Sequence, residues 1–98
     1  MAKFDVYPAE HGSYWLDCQA DLLRGLNTRF VVPLRPAEEH AGGDARLNPV
    51  FAIAGEPFVM LTHFAAAVPV SAMTLPIASL AAHEYEIGVA LDRLIGGY

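Results

Sequence analysis

The hydropathy pattern changes period once along this chain, and that change limits the architectures open to it. Up to about Met73 the apolar residues alternate with polar ones or cluster in short runs cut by Pro, Gly and Asn. Beyond it, Leu80, Ile87, Leu91, Leu94 and Ile95 recur at helical spacing. The early part predicts short strands. Lys3-Phe4-Asp5-Val6-Tyr7 is a first strand stopped by Pro8, which has no amide proton to give a ladder. Tyr14 to Leu23 is a second, half-buried strand, with Leu16, Cys18, Ala20 and Leu22 facing inward and Asp17, Gln19 and Asp21 outward. Arg29 to Val32 is a buried third strand, ended by Pro33 at an edge or bulge. A polar, turn-prone stretch from Arg35 to Pro49 follows, either a surface loop or a loop with one short helical turn. Val50–Ile53 and Phe58–Leu61 flank Ala54-Gly55-Glu56-Pro57 as a hairpin, and Val68–Met73 is a last strand confined to an edge by Pro69. The helical period then gives one C-terminal helix. Ser79 is its expected N-cap, Glu84 and Glu86 its acidic start, Arg93 its basic last turn and Gly96-Gly97 its stop. The pattern is mainly β with one C-terminal α-helix, a strongly bent antiparallel sheet carrying that helix.

At 98 residues, the range 1–98 makes a single domain. Apolar residues make up 54% counting tyrosine and not the eight glycines, already above the roughly 45–50% usual with glycine included. Such an excess in so small a chain points to a self-associated subunit. Six basic against eleven acidic side chains leave a net charge of −5, the wrong sign for direct nucleic-acid binding. No apolar run reaches the ~20 residues of a membrane span. The start lacks a secretory h-region and there is one cysteine, so the expected compartment is the cytoplasm.

Catalytic chemistry has ingredients but no pattern. Ser13, Ser71 and Ser79 sit in no nucleophile motif, and Cys18 falls on an apolar strand face, where a thiol is core filling. His11, His40, His63 and His83 lie 29, 23 and 20 residues apart, which is no chelate spacing. Glu38-Glu39 reads as solvated charge and Glu84/Glu86 as a complement to the helix dipole. Gly42-Gly43 and Gly96-Gly97 lack the context of a phosphate cradle. Trp15, beside Tyr14, reads first as a core or dimer aromatic and second as a binding anchor. No cofactor is expected.

Five stretches taken together resemble a known family: Phe4-x-Val6-Tyr7; Leu16-Asp17-x-Gln19-x-Asp21-Leu22-Leu23; Arg29-Phe30-Val31-Val32-Pro33-Leu34; Pro49-Val50-x-x-Ile53-x-Gly55-Glu56; and Val68-Pro69-Val70-Ser71. In order, and over nearly the whole chain from Lys3 to about Ile95, they resemble the CcdB toxins of bacterial toxin–antitoxin modules. The resemblance implies a small SH3-like barrel of the CcdB/MazF type with a C-terminal helix. It implies a homodimer that binds the A subunit of DNA gyrase and traps the topoisomerase on cleaved DNA, with no catalysis of its own. It also implies a cognate antitoxin, disordered in its C-terminal segment, that strips the toxin from gyrase.

Carried over position by position, the implied gyrase-binding residues are Leu22, Leu23, Asp92, Ile95, Gly96, Gly97 and Tyr98. The chain departs from the family here: well-known members carry an exposed tryptophan beside a Gly-Ile ending, and this chain has Gly96, Gly97 and Tyr98. An aromatic anchor at an interface centre is commonly worth ~2 kcal/mol or more, a thirtyfold effect on affinity. The loop at His11-Gly12-Ser13 is also shorter than the family's. Two alternatives stand beside the toxin reading: a degenerate toxin that still captures antitoxin, and an RNA-cleaving toxin on the same barrel, for which Arg29 or Arg35 would supply the cation.

Overall fold

A computed structural model describes residues 1–40 and 43–97. Its strands are β1 (Asp5–Pro8), β2 (Tyr14–Asp17), β3 (Thr28–Pro36), β4 (Val50–Ile53), β5 (Glu56–Met60), β6 (Ala66–Pro69) and β7 (Ala78–Ser79), followed by the helix α1 (Glu84–Gly96). All pairings are antiparallel, in the order β4-β5-β3-β2-β1-β7 with β6 added to β3. The sheet curls into a nearly closed barrel, and the mainly β architecture with one C-terminal helix agrees with the hydropathy pattern. Among the described residues no helix is long and apolar enough to cross a membrane.

Strand β3 organises the barrel. One edge pairs with β2; the other pairs with β6 through Thr28–Val31 and with β5 through Leu34–Pro36. Pro33 therefore does not end the strand, contrary to the sequence expectation. It stands where β3 passes from one partner to the other, and there it supplies a carbonyl that accepts the Leu61 N–H at 2.9 Å. The β4–β5 hairpin turns at Ala54 and Gly55, whose φ values of 53° and 82° are the left-handed pair that a two-residue turn demands.

The core lies inside the curl: Val6, Leu16, Val32, Leu34, Ile53 and Met60 are buried, and α1 closes the open end with Ile87 and Ala90. Ser79 caps from further upstream than expected. Its Oγ accepts the Ala81 N–H at 3.2 Å, opening a 3-10 turn at Ala81–His83 from which α1 continues. Gly97, at φ 76°, ends the helix in the left-handed region, and its N–H donates to the Arg93 carbonyl at 3.1 Å.

The second strand departs most from expectation. It stops at Asp17, and Asp21–Leu23 forms a 3-10 turn. Asp17 and Gln19 are buried, while Ala20 and Leu22 are exposed. The reason is a second packed layer. Tyr7, Val31 and Met73, with Trp15 and Val68, cover the outer face of β1–β3. The face assigned to solvent is thus interior. The expected last strand is likewise shorter: β6 ends at Pro69, Val70–Ala72 is a 3-10 turn, and β7 follows as a two-residue strand against β1.

Candidate functional site

The end of α1 presents apolar side chains to solvent because the inward stripe of the helix continues past the residues that the core covers. Ile87 and Ala90 are buried, Leu91 packs partly against them, and Ile95, further along the same stripe, is 79% exposed. Leu94 and Asp92 are exposed as well, and Gly96 and Gly97 complete the tip. Tyr98 lies outside the described residues. The tip is braced from the side. Arg93 Nε donates to Asp44 Oδ2 at 2.7 Å, while Asp44 Oδ1 accepts the N–H groups of Arg46 at 2.9 Å and Leu47 at 3.2 Å. These bonds, led by that from Arg93, hold the Asp44 carboxyl below the usual carboxylate range. No local pattern links residues 44 and 93, so the sequence reading missed this tie.

Leu22 and Leu23 do not lie on the second strand, as expected, but on the 3-10 turn at Asp21–Leu23. Leu22 is 92% exposed. The turn is pinned at both ends: Asp21 Oδ1 accepts the Lys3 N–H at 2.8 Å, and Gln19 Nε2 donates to the Leu23 carbonyl at 3.0 Å. An apolar side chain held outward on a fixed turn is a display, since the apolar surface left in water costs roughly 25 cal/mol per Å² until a partner covers it.

The nucleophile candidates go elsewhere. Cys18 is buried in the core, and burial, helped by the nearby Asp17 charge, pushes its thiol up to about 12. Ser13 donates from its Oγ to the Glu10 carbonyl, and Ser71 is exposed. His11 stands beside Glu10, and His83 lies against the Phe51 ring and 3.3 Å from Glu86. His40 and His63 alone share a feature, lining one cavity on the outer face of the β4–β5 hairpin. Among the described residues no group of three or more His, Cys, Asp or Glu side chains is arranged around a metal position. Gly42 lies outside the described residues. Trp15 is half-buried in the second layer, and Tyr14 meets Phe58 edge-on at 5.0 Å.

The cations weighed for RNA cleavage are both engaged. Arg29 is fully buried; its Nε donates to Asp17 Oδ2 at 2.8 Å, and its Nη2 lies 2.7 Å from the same oxygen. Arg35 pairs with Glu39 at 3.0 Å. What the surface offers is shape and apolar area, at the helix tip and the 21–23 turn and also at Phe64, Leu75 and Tyr85. Compared with known protein families, the chain matches the family model described as CcdB protein over residues 3–97.

Proposed function

The chain belongs to the CcdB family, and from that premise we propose that it is the toxin of a toxin–antitoxin module that binds the A subunit of DNA gyrase. It acts in the cytoplasm as a homodimer, traps the topoisomerase on cleaved DNA, makes and breaks no bonds of its own, and is released by a cognate antitoxin. The observation that carries this reading is the helix tip, where Ile95 and Leu94 stand exposed on a helix braced by the Asp44–Arg93 pair. A protein that works by docking needs such a rigid apolar post, because ordering a flexible one on contact would cost affinity.

Two further features support it. Leu22, Leu26, Leu75 and Tyr85 are also at least half exposed, apolar surface that a dimer or a protein partner covers. Arg29, the more deeply placed of the two cations an RNA-cleaving barrel would use, is locked behind the second layer with Asp17. The test is induction without antitoxin in the native host. Growth should stop and gyrase should accumulate covalently on cleaved DNA; normal growth with an intact chromosome overturns the proposal. Gly96, standing where the family carries tryptophan, favours a second reading, a toxin that captures antitoxin but has lost its grip on gyrase. A large gain in toxicity from Gly96→Trp would select that reading.

A further inference from the structure

The last turn of α1 runs past Ile87 and Ala90, which seat the helix in the core, and the segment from Asp44 to Asn48 reaches it there. That segment is a closed turn. The Asp44 carbonyl accepts the Asn48 N–H at 2.7 Å, and Asp44 Oδ1 accepts the N–H groups of Arg46 at 2.9 Å and Leu47 at 3.2 Å, so one residue fixes the backbone that follows it. The far end is fastened to the barrel wall. The Leu47 carbonyl accepts a hydrogen bond from the hydroxyl of Thr62, which is wholly buried, and the Asn48 amide donates to the Met60 carbonyl of β5 at 3.0 Å. At the near end Asp44 Oδ2 takes the Arg93 Nε–H at 2.7 Å. Residues 44–48 are thus a strut from the barrel wall to the last turn of the helix.

We propose that Asp44 is a positioning residue: acting through Arg93, it sets where the tip of α1 stands and so how tightly the tip grips its partner. The bond is suited to that task. A guanidinium N–H on a carboxylate is charge-assisted and directional, and this carboxylate cannot swing, because its other oxygen is held by two backbone N–H groups. The strut also leaves the display free. Ile95 follows Arg93 by two residues, about 200° round an axis of ~3.6 residues per turn, so the helix is gripped on the flank away from Ile95. The effect belongs in affinity and not in global stability. A partly exposed ion pair adds little to the stability of the fold, whereas a tip ordered before contact spares the partner the cost of ordering it. That the partner is the gyrase A subunit rests on the toxin reading; that Asp44 sets the tip does not.

The test starts from Asp44→Asn, which keeps the Oδ1 acceptor used by the Arg46 and Leu47 N–H groups and removes the charge that Arg93 meets. In the 15N-labelled full chain this variant should shift the amides of Leu94, Ile95 and Gly96, while those of Val6, Leu16 and Val32 hold their places and Tm stays where it was. In calorimetric titration with the gyrase A subunit it should bind about fivefold more weakly than the parent. The double variant D44N/R93A should bind no more weakly than Arg93→Ala alone, because Asp44 acts only through that side chain. Unmoved tip amides, an unchanged affinity, or penalties that multiply in the double variant would each overturn the proposal. A parent chain that does not bind the subunit at all sinks the toxin reading instead, and the tip amides then decide by themselves whether Asp44 positions the helix.

Discussion

At the residue scale, the most consequential choice is the burial of Asp17 against Arg29. Neither side chain touches solvent, and the pair is stitched further by the Gln19 N–H donating to Asp17 Oδ1 at 3.0 Å. Removing one member leaves a buried charge alone, so Asp17→Asn or Arg29→Met should each cost about 3–5 kcal/mol, read as a lower urea midpoint at unchanged slope. Nearby, Tyr7 Oη is buried with no hydrogen-bond partner among the described residues. Deleting an unsatisfied hydroxyl forfeits no bond, so Tyr7→Phe should hold stability within about 1 kcal/mol of the parent. Cys18 carries a pH signature. Its thiol is raised by burial to about 12, so the stability it contributes is complete below the unfolded thiol's pKa of ~8.5 and is lost as pH rises from there toward 12. Alkylation of the native protein at pH 8 should be slow and should become rapid in denaturant. Cys18 as core filler was legible from its place on an apolar face. Asp17 was not, because its partner stands on another strand and alternation alone reads a charge as solvent-facing.

At the scale of the elements, the hairpin and the helix were the most legible, since a turn dipeptide and a change of period are local signals. The Ala54-Gly55 turn also shows where the local choice is imperfect. Ala54 holds φ 53° with a side chain that resists it, and asparagine is the favoured residue there. Ala54→Asn should therefore raise stability by about 0.5–1 kcal/mol, seen as a higher Tm. The tie between Asp44 and α1 is of a different kind. It is partly exposed, so Asp44→Asn should change global stability little while speeding hydrogen exchange at Arg46 and Leu47. Because the Asp44 carboxyl is held below its ordinary value, the tie is complete above pH ~4 and weakens as pH falls through the depressed value. The lengths of β2 and β3 were hidden because both depend on distant partners: the outer layer with Val68 and Met73 buries polar positions of β2, and Pro33 finds a place inside β3 between the β6 and β5 pairings, its carbonyl taken by the Leu61 N–H.

For the whole molecule, the family was readable as an ordered set of short stretches, whereas the cavity on the β4–β5 face was not, because its lining, Ala37, His40, Asn48, Val59 and His63 among it, comes from positions with no shared local pattern. The helix tip makes the function testable without disturbing the fold. Ile95 is 79% exposed, so Ile95→Arg should leave Tm nearly unchanged; if the proposed gyrase contact holds, it should weaken that binding at least tenfold by calorimetry. The three-way engagement of β3 carries a last consequence, one of timing. Thr28–Pro36 finds its remaining partners only after Met60 and Pro69 have been synthesised, and pairings so distant in sequence are slow to form. A newborn chain thus spends its first moments as an unlatched hairpin set, and its tip gains a firm mount only when that clasp shuts. Anything that held β5 or β6 away from β3 would therefore leave the helix tip without its mount, without ever touching the helix.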